Sequence, residues 1–136
     1  YNMPEFKYEY TVASDFYFNV SPSREKVKGE VTATSSIGVP KEIAKRKHVR
    51  CDVSVELLNK ITTEKDIKAK TTSFFDIISE VDENDLDKLV DAAAEYCIPI
   101  ALEETDKIIA RAAEVLIGQQ VNLQLSRRFK DDEDNE

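Results

Sequence analysis

The side chains that most often carry out chemistry are scarce in this sequence. Its 136 residues include one histidine, His48, and two cysteines, Cys51 and Cys97. Zinc sites combine several His and Cys ligands, and a nucleophilic relay needs a base beside its nucleophile. The counts therefore exclude a His-rich metal site, a four-cysteine cluster and a disulfide framework. We interpret the two cysteines as reduced, buried, small apolar residues.

Pairs of neighbouring acids are the other candidates for chemistry, because glycosidases place two carboxylates across the scissile bond. The sequence has such pairs at 82–83 and 103–104. On an acidic surface we interpret them as solvated or helix-capping side chains. A phosphate-binding loop, a nucleophile elbow and a dinucleotide fingerprint are all missing from the sequence. The sequence thus predicts a protein that is not an enzyme, with no catalytic residues, no metal and no cofactor.

The charge balance limits the partners that we expect. Lysine and arginine number 19 against 27 Asp and Glu, for a net charge of -8, and five of the acids lie in the last six residues. A net negative chain repels nucleic acid and anionic membrane surfaces. No apolar run approaches the roughly 20 residues that span a bilayer. We therefore expect no nucleic-acid partner, no membrane insertion and a cytoplasmic location.

Hydrophobic alternation predicts four strands in the first part of the chain. The even-numbered residues over 6–20 are mostly aromatic or aliphatic, a period of two that indicates a long strand with one buried face. Weaker or shorter alternations cover 27–33, 49–57 and 67–77, and the last two predict an antiparallel hairpin. Residues 34–40 are predicted to form a loop, because Gly and Pro interrupt strand pairing.

The hydrophobic period changes to that of a helix in the second half. An acidic cluster at 82–85 favours a helix start. Pro99 predicts that this helix ends near Cys97 and that a second one begins there, ending at a Gly118 cap. A short strand or an extended segment is predicted over 121–125.

The order of these elements predicts the fold class and the domain limits. Strands that precede helices indicate an α+β fold, with a four-stranded antiparallel sheet and two C-terminal helices. One domain is expected over 1–129, followed by an acidic disordered tail at 130–136.

Most of the chain resembles SecB, the bacterial export chaperone, and the wider SecB-like fold group. The resemblance depends on the paired strands VRCDVSVELL and DIKAKTTSFFDI, the Tyr96-Cys97 helix stop before Pro99, and the ending GQQVNLQL. Upstream, EYTVASDFYFNV is similar to the first strand of the family. The resemblance implies dimers formed through the first strands, tetramers formed through the first helices, and ATP-independent binding of unfolded polypeptide in apolar grooves.

The resemblance also suggests which residues bind polypeptide. The family uses its crossover loop for this purpose, which makes Ile37 and Val39 candidates; the alternative is a plain connection that tucks them onto the core. Phe74 must face the opposite side of the sheet from Phe75. It either packs under a helix or subunit or forms an exposed binding surface. Tyr17, on the polar face of the first strand, is either an interface residue or a solvated tyrosine.

Part of the docking surface that the family uses for the motor ATPase SecA is missing. Asp15 aligns with one acidic docking position, but Asn19 and Lys68 stand where further acids are expected. SecA is therefore a doubtful partner. Two hypotheses remain for this homo-oligomer: a general chaperone, or an adaptor with one specific protein partner, for example in a toxin–antitoxin system.

Overall fold

Four strands followed by two helices make up the structure, a computed structural model that describes residues 4–20, 29–40, 47–79 and 85–134. The elements are β1 (Phe6–Phe18), β2 (Gly29–Gly38), β3 (His48–Asn59), β4 (Lys65–Ile77), α1 (Leu86–Ile117) and α2 (Leu125–Asp134). The strands form one antiparallel sheet in the order β1-β4-β3-β2. This confirms the predicted α+β class with its four-stranded antiparallel sheet and two helices.

The predicted antiparallel hairpin is confirmed by the pairing of β3 with β4, and it lies at the centre of the core. Alternate residues of β3 are buried: Val49, Cys51, Val53, Val55 and Leu57. We call the side of the sheet to which these residues point, and against which α1 packs, the inner face, and the opposite side the outer face. Asn59 closes the hairpin turn, because its side-chain oxygen accepts hydrogen bonds from the backbone N–H groups of Ile61 (2.8 Å) and Thr62 (3.1 Å).

β1 departs from the predicted alternation because its faces reverse twice. Its pairing with β4 shifts register between Tyr8 and Tyr10, and again between Ala13 and Asp15. Each shift inserts an extra residue into β1, which moves the following side chains to the opposite face. The two ends of β1 face α1, but Tyr10 and Val12, predicted to be buried, lie on the outer face and are 53% and 45% exposed.

β2 includes residues that were predicted to form a loop. Its pairing with β3 runs without a shift from Gly29 opposite Asn59 to Gly38 opposite Arg50. The loop prediction was wrong for 34–38, because the glycine ends the strand and Pro40 lies beyond it, so neither interrupts the ladder. Val27, where the predicted alternation begins, lies outside the described residues.

α1 is one helix where two were predicted. It runs for 32 residues from an Asp85 cap, which accepts a hydrogen bond from the Lys88 N–H, to Gly118 at φ 63°. Pro99 removes one hydrogen bond inside it, at a cost of about 3 kcal/mol or more. Burial against the sheet on both sides of the proline offsets this cost, through Cys97, Ile98, Ala101 and Leu102. The Asp85 and Gly118 caps are as predicted, and 82–84 lie outside the described residues.

α2 is the second helix, and it was not predicted. It follows 121–124, which are non-helical, with Val121 and Leu123 buried, in agreement with the predicted extended segment. The backbone is helical from Leu125 to Asp134, and 135–136 lie outside the described residues. The domain limit at 129 and the disorder of the tail stay predictions. Arg127 and Arg128 each precede an aspartate by four residues, a spacing that favours a helix. In the described part of the chain, no helix is long and apolar enough to cross a membrane.

Candidate polypeptide-binding groove

A small groove of mixed polarity lies between the β2 edge of the sheet and the two helices. Its volume is about 80 Å³. That volume suits one aliphatic side chain of a bound segment. The lining residues are Val31, Ala33, Thr34 and Ser35 of β2, Leu102 of α1, and Leu125, Arg128 and Phe129 of α2.

The position of β2 explains why the groove is open. β2 is an edge strand, and α1 covers its inner face only in part. Val31 and Ser35 are half-buried and Ala33 is exposed. Their partners on β3 are almost fully buried: Leu57, Val53 and Val55. The sheet therefore presents short side chains, two of them apolar and two of them hydroxyls, to the groove at the strand where coverage by the helix ends.

The second wall of the groove is α2, which is anchored by its first turn. Leu125 is buried in the core, and Phe129, one turn later, packs against the same core and is half-buried. The Arg128 Nε atom donates a hydrogen bond to the Leu123 carbonyl at 2.7 Å. The apolar side of α2 thus faces the groove, with a guanidinium group among the lining side chains.

A partly buried carboxylate on α1 fixes the start of α2. The Asp106 Oδ2 atom accepts a hydrogen bond from the Leu125 N–H at 2.9 Å. Within the described part of the chain, Asp106 Oδ1 is the buried side-chain oxygen or nitrogen that has no hydrogen-bond partner. Burial raises the pKa of Asp106, while the Leu125 N–H and the nearby Arg128 act in the opposite direction. The first turn of α2 is therefore held by a carboxyl group whose pKa is raised by burial.

A pair of buried hydroxyls joins the sheet to α1 one turn after Leu102. Thr105 Oγ1 donates to the Ala101 carbonyl at 2.7 Å and lies 2.7 Å from Thr71 Oγ1. Because a hydroxyl has one proton, Thr71 must donate to Thr105. The pair is fully satisfied, and it fixes α1 against β4.

Ile37 and Val39, two of the predicted binding residues, are not part of the groove lining. Both are half-buried and pack against the core, which is the arrangement of the plain-connection alternative. Their role in binding polypeptide stays a prediction.

Phe74 and Tyr17, the other two, lie on the outer face. The Phe74 ring is half-buried and packs on Tyr10 with ring centroids 4.8 Å apart. Tyr17 is 47% exposed beside a shallow depression lined by charged residues. The structure therefore does not bring the four predicted binding residues together.

Asp15, the predicted docking residue, is paired with a cation on the outer face. Its Oδ2 atom lies 3.3 Å from the Lys68 Nζ atom. Nearby, Arg50 and Asp52 form a second pair at 3.2 Å. The surface at the predicted docking position is thus mixed in charge, in contrast to the acidic surface that the resemblance implies for SecA binding.

Sequence reasoning missed Ala33 and Phe129 as groove residues. The signal for Phe129 was present, since Leu125 and Phe129 stand four residues apart, the spacing of an apolar helix face. Ala33 gave no comparable signal, because its exposure depends on where α1 stops covering the sheet.

The two cysteines belong to the core and take no part in the groove. Both are fully buried and free, which confirms the interpretation from the sequence. Burial raises the pKa of Cys51 and of Cys97 to about 12. Both thiols therefore stay protonated and unreactive near neutral pH.

Comparison with known proteins identifies the fold. No family model matches the chain, and no curated protein matches it. Among solved structures, the chain is similar to the Rv1957 SecB-like chaperone of Mycobacterium tuberculosis, solved in complex with a ChAD peptide from the Rv1956 HigA1 antitoxin. The TM-score is 0.59 at 12% identity over 88% of this chain and 86% of that one. The chain has the SecB-like fold. A protein of unknown function from Streptococcus agalactiae, at a TM-score of 0.43 and 16% identity over 89% of this chain and 98% of that one, is also similar.

Proposed function

We propose that this protein is an ATP-independent SecB-like chaperone that binds unfolded or partly folded polypeptides in this groove. The observation that carries the proposal is the groove itself, a space between β2, α1 and α2 that is lined by the apolar side chains Val31, Leu102 and Phe129 together with hydroxyl and guanidinium groups. In this proposal the protein is a cytoplasmic, non-catalytic homo-oligomer, a dimer or tetramer.

Burial of apolar surface supplies the affinity in this proposal. Each square ångström removed from water contributes about 25 cal/mol, so one side chain in a small groove binds weakly. A long unfolded segment reaches the grooves of several subunits at once, and the second contact is then intramolecular. Self-association thus allows several weak, unspecific contacts to hold one unfolded chain tightly, and no ATP is needed.

The pairing of Asp15 with Lys68 argues against SecA as a partner. A surface that docks a basic segment needs unpaired carboxylates, and here the aligned carboxylate lies 3.3 Å from a lysine ammonium group. We therefore place this chaperone outside SecA-dependent export.

A second candidate function is that of an adaptor for one specific protein partner. The small size of the groove favours it, because about 80 Å³ suits a single anchoring side chain. The structural neighbour from Mycobacterium tuberculosis was solved with an antitoxin peptide, which makes a toxin–antitoxin partner one example of this kind.

Suppression of aggregation tests the chaperone proposal. Purified protein is added at a stoichiometric ratio to a reduced model client, and light scattering is followed. The variant Ala33→Glu puts a charge into the groove lining, while Thr32→Glu, its neighbour on the outer face, is the matched control. We expect the wild type and Thr32→Glu to suppress aggregation and Ala33→Glu to lose most of that activity.

If Ala33→Glu and Thr32→Glu suppress aggregation equally, the groove is not the binding site. If the wild type does not suppress aggregation, the protein is not a general chaperone. Capture from native lysate then separates the two candidate functions. Many captured clients favour the chaperone, and one stoichiometric partner favours the adaptor.

A further inference from the structure

Polar residues form part of the groove lining, which a site for purely apolar side chains does not need. Thr34 and Ser35 contribute hydroxyl groups from β2, and Arg128 contributes a guanidinium group from α2. Leu102 and Phe129 belong to the apolar part of the same lining. A ligand that uses the whole lining therefore carries an apolar group and a hydrogen-bond acceptor close together.

Arg128 is held in a fixed position and is also exposed to solvent. Its Nε atom donates a hydrogen bond to the Leu123 carbonyl at 2.7 Å, which orients the guanidinium group. A guanidinium group has five N–H donors, and this bond uses one of them. Carboxylates match the planar donors of arginine and form charge-assisted hydrogen bonds with them. The acceptor that suits this group best is therefore a carboxylate.

The start of α2 also favours an anion. Its first turn carries no acidic residue, and the charged side chains that the structure describes in this helix are both arginines, Arg127 and Arg128. The N-terminal end of a helix is its positive end, which stabilises a nearby carboxylate. The chain itself gives an example, because the Asp106 carboxyl group of α1 accepts a hydrogen bond from the Leu125 N–H at 2.9 Å.

We propose that the groove binds the C-terminal residue of a polypeptide that ends in an aliphatic side chain, with the terminal carboxylate on Arg128. The inference rests on the proposed function, because it names the kind of polypeptide that the groove takes.

The size of the groove distinguishes a chain end from an internal acidic residue. A volume of about 80 Å³ suits one aliphatic side chain. In an extended peptide, neighbouring side chains point to opposite faces, and the next side chain on the same face lies about 7 Å away. An internal acidic residue therefore does not share this groove with an aliphatic one. In a C-terminal residue the carboxylate and the side chain leave the same Cα atom, so one residue supplies both groups.

Matched peptides test the proposal on the wild-type protein. The probe is a fluorescein-labelled octapeptide that ends in Ala-Val, made as the free acid and as the C-terminal amide. Fluorescence anisotropy should give a dissociation constant about tenfold lower for the free acid, the effect of one charge-assisted hydrogen bond. A third peptide is the amide with an aspartate before the final valine. It carries the same charge inside the chain and should bind like the plain amide.

Two arginine variants identify the group that binds the carboxylate. Arg128→Gln keeps N–H donors but removes the charge, and Arg127→Gln is the matched control because it removes the same charge one residue away. We expect Arg127→Gln to keep the preference for the free acid and Arg128→Gln to lose it while it still binds the amide. If Arg128→Gln binds neither peptide, Arg128→Lys keeps the charge and should restore the preference; failure to restore it would overturn the proposal.

Equal binding of the free acid and the amide by the wild type would overturn the proposal and leave the proposed function intact, because a groove for internal segments needs no carboxylate. Tight binding of the aspartate-containing amide would also overturn it, in favour of acidic segments in general. A preference that persists in Arg128→Gln would exclude Arg128 as the binding group. If no peptide binds while the wild type suppresses aggregation, only this inference fails; if the wild type does neither, the chaperone proposal fails as well.

Discussion

The inner face of the sheet is mostly aliphatic and the outer face mostly polar or charged, but each carries aromatic rings, and those rings have very different surroundings. Phe74 and Phe75 are neighbours on β4, and only the second is fully buried. Phe75 packs under α1 with the core and contacts Tyr8 edge to face at 5.5 Å between ring centroids. Phe74 is half-buried and packs on Tyr10, which is exposed. The difference teaches that, for two residues of the same type, coverage by α1 decides which one belongs to the core.

The two phenylalanines give the largest expected contrast. Phe75→Ala leaves a cavity in a closed core and should lower the free energy of unfolding by about 3–5 kcal/mol. Phe74→Ala removes a half-buried ring and an aromatic contact that is worth about 0.5–1.5 kcal/mol, so its loss should be much smaller. Urea denaturation of both variants measures this. Equal losses in the free energy of unfolding would mean that Phe74 is as well covered in solution as Phe75, by a second copy of the chain or by another part of it.

The buried hydroxyl pair is the next test of the inner face. Thr105→Val keeps the shape but leaves the Thr71 hydroxyl proton without an acceptor, a cost of about 1–3 kcal/mol. The double variant Thr71→Val with Thr105→Val removes both polar groups and should recover part of that stability. A double-mutant cycle from thermal or urea unfolding gives the coupling. Additive losses would contradict a hydrogen bond between the two hydroxyls.

Sequence patterns predicted the elements of the inner face well, because α1 covers a continuous central region. The alternation in β3 and the opposite orientation of Phe74 and Phe75 follow from local periodicity alone. β1 could not be predicted in the same way, since its reversal at Tyr10 comes from pairing with β4, more than sixty residues away in the chain. The helix end predicted at Pro99 was wrong for a related reason. A proline inside a helix removes a backbone hydrogen bond, but burial of the residues on both sides of Pro99 against the sheet outweighs that loss.

The candidate groove was harder to predict than the fold. A polypeptide-binding groove was expected from the resemblance, but the residues predicted to bind lie elsewhere. Ile37 and Val39 pack on the core, and the groove wall is formed by α2, which was not predicted. The residues that line the groove depend on where α1 stops covering the edge strand β2. Sequence periodicity does not indicate that position, because the helix and the strand are far apart in the chain.

Asp106 connects the inner-face core to α2 and gives a pH-dependent prediction. Burial raises its pKa above the ordinary value of 3.8, so the folded state binds the proton more tightly than the unfolded state. The stability that this gives is complete below the ordinary pKa and is lost as the pH rises through the raised pKa. Asp106→Asn cannot titrate there and should lack this part of the pH dependence.

The two substitutions at Asp106 separate charge from hydrogen bonding. Asp106→Asn keeps an oxygen for the Leu125 N–H and should be at least as stable as the wild type at neutral pH. Asp106→Ala removes this cap and should lose about 0.5–2 kcal/mol. Urea denaturation between pH 4 and 8 measures both. If Asp106→Asn is as unstable as Asp106→Ala, the carboxylate charge, through Arg128, matters more than the cap.

The smallest expected effect lies on the outer face, at the only histidine. His48 Nδ1 and Asp76 Oδ1 are 2.7 Å apart, with side chains that are 69% and 39% exposed. The hydrogen bond with His48 lowers the pKa of Asp76, with smaller contributions from Glu9 and Lys7. A lowered pKa gives stability above the ordinary value that is lost as the pH falls through the lowered one.

In solvent such pairs contribute little, so His48→Ala should leave the free energy of unfolding at neutral pH unchanged within error. An NMR titration of the Asp76 carboxyl in that variant should show its pKa moving up towards 3.8. If the pKa of Asp76 stays low in His48→Ala, the same titration in Lys7→Ala tests whether Lys7 keeps it low. A contribution from Lys7 would mean that several charged groups of the outer face set this pKa together.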